Sequence, residues 1–178
     1  LRDEDSAIGI LSDVGYVTNL MRNQMRGMNT IFVEANYDGV LLQNDLKRPW
    51  SIKQRILSRH GHLSNDQTAA LLSDVADENL HRVILGHLSA DCNEPQLAIE
   101  TVKEAIRAKG HQQVSVLCAS QGEPTACFAA IRSLSPARPK PTVPERSPVI
   151  PQINTETCPA PATSDEDRVR APALAYAA

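Results

Sequence analysis

Cysteines at metal or redox spacing are absent. The 4 cysteines, Cys92, Cys118, Cys127 and Cys158, form no C-x-x-C pair, which argues against a zinc ribbon or a thioredoxin-type motif. With no secretory leader in view, reduced thiols in a cytoplasmic protein are the default. Aromatics are scarce at 3%, and charge is nearly balanced, 18 basic against 21 acidic side chains for a net of -3. The chain as a whole therefore has no electrostatic case for binding nucleic acid or a membrane surface. No apolar run reaches the roughly 18 residues that a membrane helix needs, so no membrane partner is expected. A signal-peptide core is missing too, because the chain opens on the charged Leu1-Arg2-Asp3-Glu4-Asp5. It has no starting Met, and strand-like sequence begins almost at once, so the front of a longer protein is expected to be missing.

The length of 178 residues suits one domain of ordinary size. Past Leu134 there is no glycine, and most of the 12 prolines lie there. Segments such as P-A-R-P-K-P have neither strand nor helix period and lack ladder donors at every proline. The reading is therefore a folded part over 1–133 and a disordered proline-rich tail over 134–178. The tail could present a polyproline II ligand to a partner. No internal repeat is visible.

Before that boundary, apolar runs of strand length alternate with helical periods. The runs are Ala7 to Leu11, Thr30 to Val33, Arg82 to Leu85 and Val114 to Ala119. Each is short, branched and nearly continuous, as for strands buried on both faces. Three helix candidates lie between them. One starts near Thr18 and carries a methionine stripe, Met21, Met25 and Met28, that reads as core filler, with Gly27 as a stop. A second starts at Ser64, where Ser64 and Gln67 have capping-box spacing. A third starts at Pro95, carries Ala98, Val102, Ala105 and Ile106 as its stripe, and stops at Gly110. Such alternation predicts an α/β layered domain with a largely buried sheet.

The polar residues just past each apolar run are the informative feature. Leu11-Ser12 leads to Asp13. Val33 leads to Glu34, with Asn36 and Asp38 close behind. Leu85-Gly86 leads to His87, then Ser89. In open α/β sheets the carboxyl ends of the strands are where ligand sites gather. His62, in R-H-G-H just before the Ser64 helix start, could approach an anion held by helix N-terminal amides. Each residue has a plainer reading as well. Asp13 could be a turn former, Glu34 a surface carboxylate or ion-pair partner, His87 a core histidine bonded to a carbonyl, and His62 a helix-start residue. Their coincidence at neighbouring strand ends favours a divalent cation, which would compensate the gathered charge. On the residues alone this is half a metal site. Asp13 and His87 are two firm candidate ligands where a catalytic zinc takes three, and His60-Gly61-His62 reads as a turn and not as a paired ligand strand. His81 and His111, at the starts of strand-like segments, are expected to be exposed.

Taken in order, Ile10-Leu11-Ser12-Asp13-Val14-Gly15, Val33-Glu34-Ala35-Asn36-Tyr37-Asp38, Ser58-Arg59-His60-Gly61-His62-Leu63-Ser64-Asn65 and Leu85-Gly86-His87-Leu88-Ser89 resemble the C-terminal half of metallo-β-lactamase-fold hydrolases. The likeness is to the bacterial single-domain branch related to RNase Z and to proposed DNA exonucleases. It runs from about Ala7 to Ala130, and its most specific part is the pairing of G-H-L-S-N with G-H-L-S. The resemblance implies an αββα sandwich, present here mainly as its C-terminal half, and two divalent metal ions, zinc or manganese. It implies a metal role for Asp13, the bridging aspartate, and for His87. It implies catalytic roles for His62, near the scissile phosphate, and for Glu34, which orients that histidine. A metal-bridged hydroxide would attack phosphorus. Tyr37 stands where the branch usually has a histidine. The family's H-x-H-x-D-H motif would lie ahead of Leu1, so this chain by itself is expected to be an inactive fragment that binds metal weakly, if at all, the full-length form being the enzyme. Its exposed sheet face leaves homo-oligomerisation open.

The function expected is thus that of a metal-dependent hydrolase, a phosphodiesterase or nuclease acting on nucleic acid or another phosphodiester. The alternative is a non-catalytic α/β interaction module that docks through the proline-rich tail. Esters and β-lactams remain open as substrates, since fold does not fix substrate. Lys47, Arg48, Arg55 and Arg59 would suit a phosphate backbone and equally a solvated helix face.

Overall fold

The four apolar runs become four short strands in a computed structural model that describes residues 6–129. These are β1 (Ile8–Leu11), β2 (Thr30–Glu34), β3 (Arg82–Gly86) and β4 (Ser115–Cys118). They pair in parallel in the order β1-β2-β3-β4. Parallel neighbours need crossovers, and helices supply them. Helix α1 (Asn19–Met25) joins β1 to β2; α2 (Gly39–Asn44), α3 (Trp50–Leu57) and α4 (Asn65–Val75) join β2 to β3; α5 (Pro95–Ala108) joins β3 to β4.

The order has a consequence for the layers. Strand crossovers are right-handed in nearly all proteins, and a sheet built steadily in one direction then keeps its crossovers on one face. Helix α4 indeed packs between α1 and α5. The main core lies beneath them, with Ile31, Val33, Val83 and Leu85 of the sheet against Leu72, Val75, Ala98, Val102 and Ile106. The other face carries one apolar row in register across all four strands, Ile10, Phe32, Ile84 and Leu117. Ile10 is 60% exposed, and the other three are half-buried. The expectation of strands buried on both faces is thus corrected: among the described residues one face is covered. These residues form one sheet and one helical layer, an α/β architecture.

Local signals explain the helix ends. The Thr18 hydroxyl accepts from the Met21 amide at 3.2 Å. The Ser64 hydroxyl accepts from the Gln67 amide at 3.1 Å, and the Gln67 side chain accepts from the Ser64 amide at 2.8 Å. Gly110, at φ 93°, takes the left-handed turn that ends α5. Helices α2 and α3 lie outside the three expected ones. Val40, Trp50, Ile52 and Leu57 are exposed, and the inward Leu42 and Ile56 join a small separate cluster, so these helices present no long stripe to the main core for periodicity to detect. Asp38 caps α2 by accepting from the amides of Val40 and Leu41, both at 2.9 Å. His81 and His111 are half-buried and not exposed as expected, and His81 Nε2 is buried without a partner among the described residues. No described helix is long and apolar enough to cross a membrane. The expected proline-rich tail, with Cys158, lies outside the described residues.

The loop between α2 and α3 is tied to the segment after β3 by charge. Arg48 Nη1 donates to Asp45 at 2.7 Å, Arg48 Nη2 to Asp91 at 2.9 Å, and Lys47 Nζ to Asp91 at 2.6 Å. The Arg48 guanidinium, with the Lys47 backbone amide, holds the Asp45 carboxyl down to about 2. A depressed carboxyl stabilises the fold above its unfolded value of about 3.9, and that contribution fades as pH falls toward the folded value. Thermal unfolding should therefore lose stability between about pH 4 and pH 2 more steeply in the parent than in Asp45→Asn. Parallel curves for the two proteins would remove this pair from the acid response.

Candidate functional site

Because the strands are parallel, their carboxyl ends share one edge, and the chain turns sharply there. Asp13 follows β1 with φ 57°, and His87 follows β3 with φ 55°. Left-handed backbone is uncommon outside glycine, although Asp and His tolerate it better than most. It costs about 1–3 kcal/mol per residue and gathers at functional sites. Glu34 closes β2 between these two turns. His62 arrives from the α3–α4 connection, where its amide donates to the Ile56 carbonyl at 3.0 Å.

Glu34 organises the cluster. Its side chain is fully buried, and a buried carboxylate is costly unless its oxygens are satisfied. Oε1 accepts from the amides of Val14 at 2.8 Å and Leu63 at 3.1 Å. Oε2 accepts from the Asp13 amide at 3.0 Å. Nδ1 of His87 lies 3.0 Å from Oε2, and Nδ1 of His62 lies 3.3 Å from it. A carboxylate only accepts, so both ring nitrogens present their protons there. In a neutral imidazole that leaves Nε2 with the lone pair. One side chain thereby fixes the turn after β1, the turn before α4 and the tautomer of two histidines.

Around it the groups are close. Asp13 Oδ1 lies 3.6 Å from Nδ1 of His87 and 3.9 Å from Nδ1 of His62, and the Asp13 side chain is 71% exposed. The two imidazoles meet edge to face at 4.9 Å between centroids. Asn36 clamps the His87 turn: its side chain donates to the His87 carbonyl at 2.7 Å, and its own carbonyl accepts from the Ser89 amide at 2.8 Å. Two glycines let the loops approach. A Cβ on Gly15 would collide with the Ser58 carbonyl, and one on Gly61 with the Ile56 carbonyl.

The four residues singled out at the strand ends and before α4 are thus brought together: Asp13, Glu34, His62 and His87 each offer an atom within 4.8 Å of the others. As a donor set, an exposed carboxylate beside imidazoles suits a divalent cation. Glu34 is the exception, since its oxygens are already engaged; it fits as a support that aims its neighbours. The donors able to face a cation are then Asp13, His62 and His87, with the remaining positions for water, substrate or further groups. Asp38 caps a helix instead, and Lys47 and Arg48 are occupied by Asp45 and Asp91. Sequence reasoning missed the clamping role of Asn36, although an amide just past a strand end was a legible signal.

Comparison with known proteins adds the chemistry of relatives. The chain is 36% identical over 103 residues to the exodeoxyribonuclease YycJ of Bacillus anthracis, covering 58% of this chain and 39% of that protein. It is 34% identical over 99 residues to the exodeoxyribonuclease WalJ of Streptococcus pneumoniae, in two strains, covering 56% of this chain and 36% of that protein. The chain thus spans less than two fifths of the length of these curated relatives. No family model and no solved structure matches it.

Replacing Glu34 by Gln keeps the shape but turns one acceptor into an amide group facing donors. Loss of a buried hydrogen-bond acceptor should cost about 1–3 kcal/mol in equilibrium urea unfolding. An unchanged midpoint would show that this carboxylate does not hold the turns together.

Proposed function

We propose that this chain supplies part of the active site of a metal-dependent nuclease of the metallo-β-lactamase fold, with DNA phosphodiesters as substrate. The carrying observation is that side chains from four separate segments, Asp13, Glu34, His62 and His87, converge within 4.8 Å. The similarity to exodeoxyribonucleases supports the substrate class. Because the chain spans only part of those relatives, the activity of the whole protein belongs to the proposal too.

In this reading Asp13 and His87 hold divalent metal, two zinc or manganese ions being the expected complement. When bound, such cations acidify water and offset charge on the phosphoryl oxygens. Asp13 is suited to this by its exposure, and His87 by the Nδ1 contact that leaves Nε2 with the lone pair. His62 moves the proton. Water adds to phosphorus and gives a proton to the Nε2 lone pair, the phosphorus–oxygen bond to the departing nucleotide breaks, and the leaving oxygen takes that proton from Nε2. Glu34 holds His62 in the tautomer and orientation that this transfer needs. The T-shaped contact with His87 limits rotation of the ring.

Two measurements test this. Manganese or zinc titrated into the protein calorimetrically should bind, and Asp13→Ala should weaken that binding. Degradation of linear DNA by the whole protein that carries this chain should stop on addition of a chelator, and His62→Ala in that protein should lower kcat by about 100- to 10,000-fold, the usual share of general acid–base catalysis. Full activity in His62→Ala, or metal affinity untouched in Asp13→Ala, would remove the assigned roles.

A further inference from the structure

A cleft of about 350 Å3 at the cluster is lined by Asp13 and His62 together with Ile52, Arg55, Ile56 and His60. Part of its wall is helix α3, one of the two helices that periodicity does not reveal. Two features of that wall have no structural use. The first is the Arg55 guanidinium, which is exposed and has no carboxylate partner among the described residues. The neighbouring cations are engaged: Lys47 and Arg48 pair with Asp45 and Asp91, Lys53 Nζ donates to the Gln43 carbonyl at 2.8 Å, and Arg59 lies 4.4 Å over the Tyr16 ring. The second is Ile52, a large apolar side chain 41% exposed on the same cleft. A cation without a carboxylate partner and an apolar side chain, side by side on one helix next to the proposed phosphodiester-cleaving cluster, match the two chemistries of a nucleotide, its phosphate and its ring systems. The cleft lies at the small end of ligand sites, about 300–1,000 Å3, which suits one unpaired nucleotide and not a base pair.

We infer that Arg55 and Ile52 seat the nucleotide adjoining the scissile bond, Arg55 binding its phosphate and Ile52 lying against its base, so that the site takes single-stranded DNA ends. The inference rests on the nuclease reading above. Arg55 also offsets the repulsion that Asp13 and Glu34 exert on an incoming phosphate. The chain as a whole is slightly acidic, with a net charge of -3, so a local cation matters more than a general field.

The test is fluorescence anisotropy of a labelled single-stranded oligodeoxynucleotide and of a blunt duplex of the same sequence, over a salt series. Each phosphate contact to a single strand contributes about 0.7 to the slope of log affinity against log salt. Arg55→Ala should lower that slope by about this amount, and Arg55→Lys should restore it, which also shows that the fold is intact. Arg107→Ala should leave the slope as in the parent. Arg107 is likewise exposed, but it sits near the end of α5, which leads into the opposite edge of the sheet. An Arg55→Ala slope equal to the parent's, or a duplex bound as tightly as the single strand, would overturn the seat and leave the nuclease reading standing. A whole protein carrying this chain that neither binds nor degrades either DNA would bring down the nuclease reading, and this inference with it.

Discussion

The carboxylate of Glu34, with no exposed surface, accepts hydrogen bonds from three backbone amides and faces two imidazoles. Burying it alone would be prohibitive, and the turns around it exist to satisfy it. The amides of Asp13 and Val14 must point inward, which forces the bend after β1. The amide of Leu63 must do the same, which fixes where α4 begins. The two histidines then have one orientation open to them. Arrangement and chemistry thus depend on one hydrogen-bond acceptor, and the side chains free to meet a ligand are those that it does not consume.

The sheet order explains where this cluster can sit. Strands laid down in sequence and all in one direction bring three carboxyl ends to one edge, and their crossovers occupy one face. Helices α2 and α3 lie in the longest crossover, between β2 and α4, and α3 lines the cleft. A smaller apolar cluster, Tyr37, Leu42 and Cys92 with Ile56 against it, anchors these helices apart from the main core. Burial pushes the Tyr37 hydroxyl up against a hydrogen bond from Ser64 that lowers it; this residue is thus a buried structural phenol among the described residues.

Much of this was legible in the residues. All four strands and three of the helices announced themselves, because continuous branched runs, capping-box spacing at Ser64 and proline at the first turn of α5 act locally. The convergence of Asp13, Glu34, His62 and His87 could be anticipated because parallel strands share an edge for their carboxyl ends. The features that stayed hidden depend on tertiary context. Helices α2 and α3 show apolar residues to solvent, so their periodicity carries no core signal. The second face of the sheet reads as apolar in sequence, and only the topology reveals that α1, α4 and α5 lie on the other side. The left-handed turns at Asp13 and His87 carry no glycine to mark them, and the role of Asn36 depends on a carbonyl 51 residues away.

Those two turns set a limit on how this chain can be improved. At a left-handed position, glycine or asparagine relieves the backbone, and a search for thermostable variants would favour them there. Either exchange at 13 or 87 would discard a carboxylate or an imidazole from the cluster. Robustness and chemistry therefore compete for the same two codons, and directed evolution for heat tolerance alone should drift toward a sturdier but chemically silent protein.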